Sequence, residues 1–204
     1  MADQPRVREW ILNEALGAFL RHPEGEAERL RWFLSLDAAT LTGKSPLASL
    51  SGLFPALEEV KWEADAPLKF DYMSPDASQL RFRETYGGVR PDFQFWTRGL
   101  KKQLLMECKG EGYQSKKHLF QVQRYFNYLG DHGFTGAVVY IVPPELEEGW
   151  VKLAEGLQPR GEVNYGVLPF NHDLVRGLRF DLVSVLSDLV EESTKLLEKA
   201  LKEI

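Results

Sequence analysis

The 204-residue sequence predicts an α/β domain in which helices flank a mixed β-sheet, with a helical region at its N-terminal end. Apolar residues recur with helical spacing over residues 6–60 and with strand spacing over residues 61–112. Over residues 113–204 helical and strand patterns alternate. The unbroken apolar run Gly136–Val142 is typical of a central strand that is covered on both faces.

Residues 1–60 are expected to form a helical region packed on the core. Apolar spacing over Val7–Phe19 predicts a first helix, which Pro23-Glu24-Gly25 ends. A second helix is expected over Glu26–Leu41, and Ser45-Pro46 is typical of the cap and first turn of a third, short helix. The side chains expected inside from the second helix are Leu30, Phe33, Leu34 and Leu41.

Residues 61–204 are expected to form the α/β core with a C-terminal helix. Alternating side chains predict strands over residues 69–72, 80–83, 92–96 and 103–109. A turn over residues 97–102, which contains Gly99, would join the last two strands as a hairpin. The later elements expected are a helix over 114–129, the strand over 136–142, a helix over 145–157, a strand over 163–170 and one or two helices over 174–204.

The predicted hairpin brings together an unusual set of charged residues. Because side chains alternate on a strand, Glu107 and Lys109 share one face, and Cys108 points to the other as part of the apolar core. Asp92 opens the preceding strand, so the hairpin can place it beside Glu107. Charges beside a buried strand are costly unless they are paired or hold a metal. The pattern fits a metal-dependent phosphodiester hydrolase, and it also fits a plain salt bridge between Glu107 and Lys109 with an unrelated loop aspartate.

Pro91-Asp92 followed by Glu107-x-Lys109 resembles the signature of the PD-(D/E)xK nuclease superfamily. Downstream, Gln121 and Tyr125 lie four residues apart on a predicted amphipathic helix, which is similar to the Gln-x-x-x-Tyr element of its RecB-like branch. The resemblance covers roughly residues 81–142. It implies the restriction-endonuclease-like fold.

The resemblance also implies roles for single residues. Asp92 and Glu107 would ligate Mg²⁺ or Mn²⁺, and the Cys108 backbone carbonyl is a candidate further ligand. Lys109 would orient or deprotonate the attacking water and offset negative charge. Gln121 and Tyr125 would contact the substrate strand or brace the site from the helix.

Two further carboxylates are candidate ligands. The family often carries a glutamate on an N-terminal helix, and Glu14 fits that place best in this sequence. Glu84 precedes the Asp92 strand, and a surface pairing with Arg81 or Arg83 is the competing interpretation. Basic residues around the motif could form a local positive groove for nucleic acid, or simply be solvated turn and helix-end charges. They are Lys101, Lys102, Lys116, Lys117 and Arg124.

Composition limits the other classes of protein. The net charge is −5, so a nucleic-acid-binding surface has to be local. No apolar run reaches the roughly 20 residues of a membrane span, and the N-terminus lacks the order of a signal peptide. A single cysteine excludes an internal disulfide, and a reducing cytoplasm is the expected compartment.

The sequence thus predicts a metal-dependent nuclease, and the resemblance favours DNA over RNA as its nucleic-acid partner. One alternative is a binding or scaffolding subunit that keeps the nuclease fold without cutting. Another is a small-molecule or structural α/β domain in which the motif is accidental. A homodimer and a helicase or ATPase partner subunit are both left open by the sequence.

Overall fold

A computed structural model describes most of the N-terminal region and the core of the chain. The described residues are 9–21, 25–36, 39–42, 50–54, 56–65, 68, 89–97, 101–110, 115–158 and 161–170. The strands expected over 69–72 and 80–83, the helices expected over 174–204, and Glu84 lie outside these residues.

Four helices and six strands build the described part of the fold. The helices are α1 Glu9–Arg21, α2 Glu26–Leu34, α3 Ser115–Asp131 and α4 Glu147–Lys152. The strands are β1 Ala39–Thr42, β2 Lys61–Ala64, β3 Phe93–Thr97, β4 Lys102–Cys108, β5 Thr135–Val142 and β6 Val163–Pro169. Short 3₁₀ turns lie at Leu50–Leu53, Leu57–Glu59, Pro144–Leu146 and Leu153–Gly156.

The six strands form one mixed sheet in the order β1-β6-β5-β4-β3-β2. Strands β3 and β4 are the predicted antiparallel hairpin, with Phe93 opposite Met106. Strands β4, β5 and β6 are parallel, and α3 forms the connection between β4 and β5. The expectation of an α/β domain with a mixed sheet flanked by helices is confirmed.

The sheet separates two apolar layers, as the alternation of side chains on β4 and β5 predicts. Leu104, Met106 and Cys108 enter the layer that contains the buried residues of α1 and α2. Leu105 enters the layer that contains α3 and Trp150 of α4. Strand β5 contributes to both layers and all but its first residue is buried, which confirms the central strand expected at Gly136–Val142.

The second helix is shorter than its apolar spacing predicted. It ends at Leu34, where the hydroxyl of Ser35 donates a hydrogen bond of 2.7 Å to the carbonyl of Trp32 and closes the last turn. The expectation that Glu26–Leu41 is one helix is wrong, since Leu41 lies in β1, which pairs with the edge of β6. The two threonines in Ala39–Thr42 suit a strand because β-branched side chains fit a pleated surface.

Strands β4 and β5 approach each other closely at Gly136. A β-carbon at this position would lie 2.6 Å from the carbonyl oxygen of Gln103, so only glycine fits.

Within the described part of the chain, no helix has both the length and the apolar character needed to cross a membrane.

Candidate functional site

The candidate site lies at the carboxyl end of β4. Asp92, immediately before β3, accepts a hydrogen bond of 2.7 Å on Oδ2 from the backbone N–H of Cys108. This bond ties the aspartate to the last residue of β4 across the hairpin. Asp92 therefore lies beside Glu107 and Lys109, as predicted, and the hydrogen bond that holds it there comes from the backbone amide of Cys108.

Glu107 receives one donor on each carboxylate oxygen. The Tyr125 hydroxyl of α3 donates a short hydrogen bond to Oε1, and the Lys109 ammonium lies 3.0 Å from Oε2. The Gln121 side chain in turn hydrogen-bonds the tyrosine. The helix element of the sequence motif thus braces the site. Tyr125 is only 1% exposed and belongs to the core, so its ring is not available for stacking on a base.

Helix α1 reaches the same site from the other layer of the fold. Glu9 accepts a hydrogen bond of 2.9 Å from the Lys109 ammonium, and Asn13 hydrogen-bonds the Asp92 carboxylate. The two residues are four apart and share a helix face. Sequence reasoning missed both of them. The sequence did contain a signal for them: Glu9 and Asn13 are four residues apart on a predicted helix, as Gln121 and Tyr125 are on theirs.

Glu9 takes the position that the sequence interpretation gave to Glu14. Glu14 is exposed, and it lies about 100° around the helix from Asn13. Asn13 itself has a buried Oδ1 that accepts no hydrogen bond from the described residues. An acceptor oxygen therefore stands beside Asp92 in addition to the carboxylates.

Burial opposes ionisation of both carboxylates. Burial is the main cause that raises the pKa of Glu107 to about 7; the charge of Lys109 opposes the shift, and that of Asp92 adds to it. Burial likewise raises the pKa of Asp92; the Cys108 N–H and Lys109 counteract it, and the charge of Glu9 reinforces it. The two carboxylates therefore repel each other in a poorly hydrated place.

Lys109 stays protonated in this arrangement. Burial alone would lower the pKa of its ammonium, but the charge of Glu107 and the hydrogen bond to Glu9 outweigh burial and raise that pKa above its usual value. A lysine that holds its proton at neutral pH cannot take a proton from water. Of the roles expected for Lys109, a protonated ammonium is compatible with orienting a water and offsetting negative charge, but not with deprotonating the water.

A cleft of about 370 Å³ opens beside these residues. Lys109, Gln121 and Tyr125 form its inner wall, and Glu9 and Val89 also contribute to it. Its outer wall carries the cationic side chains of Arg90, Lys117 and Arg124 together with the ring of Phe120. The local positive groove expected from the sequence thus includes Lys117 and Arg124, and Arg90 joins it although it was not among the predicted binding residues.

The other predicted basic residues lie elsewhere. Lys101 immediately precedes β4 and Lys102 begins it, so Lys102 lies six residues from Cys108, which is about 20 Å along a strand, and Lys101 lies one residue further. The structure therefore does not bring them to the cleft. Lys116 lies in the first turn of α3, and its side chain is outside the described part.

The donor set at the site suits a hard divalent cation. Asp92 and Glu107 offer carboxylate oxygens, and Mg²⁺ is commonly held by one or two carboxylates together with water and substrate. Among the described residues, no group of three or more His, Cys, Asp or Glu side chains is arranged to hold a metal.

Comparison of the chain with protein-family models, with curated proteins and with solved structures gives no match in any of the three.

Proposed function

We propose that this protein is a metal-dependent nuclease with the restriction-endonuclease-like fold, and that it hydrolyses phosphodiester bonds in DNA. The observation that carries the proposal is the buried pair Asp92 and Glu107 beside the protonated Lys109, which itself lines a cationic cleft. A buried, mutually repelling carboxylate pair is destabilising, so its presence at a cleft indicates a functional use.

The cation would be Mg²⁺ or Mn²⁺, held by Asp92 and Glu107, with the Cys108 carbonyl as a candidate third oxygen. Such an ion polarises a phosphoryl oxygen and makes a bound water a better nucleophile when it is in place. Asp92 is held in position by the Cys108 amide and Asn13, and Glu107 by Tyr125. These neutral donors fix the carboxylates without neutralising them.

Lys109 would stabilise the negative charge that develops on the phosphoryl group. Its ammonium is fixed between Glu107 and Glu9, at 3.0 and 2.9 Å, so little reorganisation is needed during the reaction. Because it keeps its proton, the proton of the attacking water has to leave by another route, through water or substrate.

The topology supports the fold assignment within the proposal. An antiparallel hairpin carries the acidic residues, and its second strand leads through the Gln121 and Tyr125 helix into a parallel central strand. The single described cysteine, Cys108, is buried, and the cytoplasm remains the expected compartment.

The test is cleavage of linear, circular, single-stranded and branched DNA with and without Mg²⁺, by the wild-type chain and by Asp92→Asn. We expect Mg²⁺-dependent cleavage that Asp92→Asn abolishes, and a Mg²⁺-induced rise in melting temperature that the same variant loses. The control is Glu58→Gln, which removes an exposed carboxylate that is distant in sequence from Asp92 and Glu107. This variant should behave like the wild type.

Two outcomes would count against the proposal in different ways. A Mg²⁺-induced shift that persists in Asp92→Asn would remove Asp92 from the ligand set. DNA binding without cleavage of any substrate would favour the alternative of a non-cutting binding subunit with the same fold.

A further inference from the structure

The ring of Phe120 is placed where an apolar side chain is unexpected. It is 66% exposed and is the only large hydrophobic side chain that is exposed in the described part of the chain. The neighbouring Val122 and Phe126 are buried in the core, so the helix has an apolar face that Phe120 does not join. A single exposed apolar side chain is common on protein surfaces, but this ring lines the same cleft as three cationic side chains, Arg90, Lys117 and Arg124.

Phe120 stands within a stripe of functional side chains on α3. Lys117, Phe120, Gln121, Arg124 and Tyr125 follow the three- and four-residue spacing of one helix face, and all five line the cleft. The Arg124 guanidinium lies 5.9 Å from the centre of the Phe120 ring. The cleft therefore contains a flat aromatic ring, from Phe120, next to a guanidinium group, from Arg124.

The charge of the cleft differs from that of the whole chain. The chain carries a net charge of −5, yet the lining includes Arg90, Lys109, Lys117 and Arg124 against the single acid Glu9. The ligand that suits the lining is therefore anionic, and the aromatic ring adds a preference for a flat, stackable group. An unpaired nucleotide has both properties.

We infer that the cleft binds single-stranded nucleic acid, with a base stacked on Phe120 and backbone phosphates on Arg90, Lys117 and Arg124. This inference rests on the proposed nuclease function and names the form of its substrate. Bases of a duplex already stack on each other, so the ring cannot reach a base face unless the strand is unpaired. Stacking does not depend on which base is present, so the site would accept many sequences.

The stacking surface is close to the proposed reaction centre. Phe120 lies five residues before Tyr125, a rise of about 7 Å along the helix. Since Tyr125 holds Glu107, a base on Phe120 would position a phosphate of the same short stretch of strand at the carboxylates.

The experiment measures binding separately from cleavage. In the Asp92→Asn background, fluorescence anisotropy compares an oligothymidylate of about 16 nucleotides, the upper end of known site sizes, with a duplex of equal length. We expect tighter binding of the single strand and a weakening of about 5- to 150-fold in Phe120→Ala. Phe120→Leu should also weaken binding, because it keeps apolar area without the ring, and Phe120→Trp should restore it.

The phosphate contacts have their own readout. Lys117→Gln and Arg124→Gln should each reduce the slope of log affinity against log salt by about 0.7. Lys61→Gln, on the exposed edge strand β2, removes the same charge outside the cleft and should leave the slope unchanged. Melting curves of all variants identify any that fail to fold, and Phe120→Leu provides a mild substitution if Phe120→Ala does.

The outcomes separate this inference from the proposed function. Phe120-dependent binding of single strands without any metal-dependent cleavage would uphold the inference and overturn the nuclease proposal. The inference alone would be overturned if the wild type cleaved duplex DNA and the single strand bound equally well to Phe120→Leu, to Phe120→Ala and to the Asp92→Asn protein that keeps Phe120. Binding of neither DNA form, or self-association lost in Phe120→Ala, would also overturn it and would make the ring a protein contact.

Discussion

The free energy of unfolding should fall as the pH rises from about 4.5 to about 7, and Glu107 should cause a large part of that fall. Burial raises the pKa of this carboxyl from 4.5 to about 7 in the folded chain. The folded protein therefore holds the proton more tightly than the unfolded one. The resulting stabilisation is complete below pH 4.5 and is lost as the pH rises to about 7.

The magnitude follows from the size of that shift. At 1.36 kcal/mol for each unit of pKa, the difference corresponds to about 3 kcal/mol. The pKa of Asp92 is raised for the same main reason, so its contribution has the same sign. A loss of this size is a large fraction of the 5–15 kcal/mol that stabilises a typical domain.

Urea denaturation at a series of pH values, in the presence of a metal chelator, measures the effect. Between about pH 4.5 and about pH 8 the wild-type chain should lose about 3 kcal/mol more than Glu107→Gln, which has no proton to release. Glu58→Gln makes the same chemical change at an exposed residue and should follow the wild type. Adding Mg²⁺ at about pH 8 should restore stability to the wild type and less to Glu107→Gln, because the ion binds the charged carboxylate.

Equal pH dependence in the wild type and in Glu107→Gln would refute this reasoning. It would mean that Glu107 ionises as readily in the folded chain as in the unfolded one. The carboxylate would then be an ordinary salt-bridge partner of Lys109, and the site would have no unfavourable buried charge for a cation to offset.

Four further variants test single contacts. Lys109→Ala should lower the rate of cleavage by about 10²–10³ while changing DNA affinity far less, as single-turnover kinetics and binding titrations would show; an unchanged rate would assign the lysine a structural role alone. Tyr125→Phe should cost about 1–3 kcal/mol in urea denaturation, since it leaves an oxygen of buried Glu107 without its donor; no change in stability would place that oxygen in contact with water. Val122→Ala should cost a similar amount through a cavity in the core and leave the cleavage rate of the folded fraction unchanged. Gly136→Ala should destabilise by about 1–3 kcal/mol because a β-carbon would meet a backbone carbonyl of β4, and a stable, unaltered variant would contradict the close approach of the two strands.

Local patterns were sufficient to predict the hairpin, the central strand and the motif residues. Each depends on neighbours in sequence: two alternating segments separated by a few residues predict a hairpin, the apolar run Gly136–Val142 fits one buried strand, and the four-residue spacing of Gln121 and Tyr125 fits one helix face. Gly99, which indicated the turn, lies outside the described residues. The depth of Tyr125 was not predicted. Its ring shares a helix face with Gln121 but is buried in the core with residues of β4 and β5, and its hydroxyl donates to Glu107.

The contacts of α1 could not be predicted in the same way. Glu9 and Lys109 are 100 residues apart, so no local periodicity links them. Glu14 and Glu9 both lie on the first helix, and the choice between them depends on how the helix is rotated against the sheet. That rotation is set by the packing of Leu16, Phe19 and Leu20, which the sequence alone does not orient. The end of α2 was missed for a related reason, because β1 exists only through its pairing with β6.

The position of Glu9 changes the charge balance of the whole site. When all groups are ionised, the three carboxylates of Asp92, Glu107 and Glu9 and the ammonium of Lys109 leave two negative charges. The remaining donors, the Cys108 amide, Tyr125 and Asn13, are neutral and only orient the oxygens. Burial is the main cause of the raised pKa values of Asp92 and Glu107, and the charge of a neighbouring carboxylate adds to it in each case. Under the proposed function, one divalent cation bound by Asp92 and Glu107 would offset these two negative charges, which is why we propose Mg²⁺ or Mn²⁺ rather than a monovalent ion.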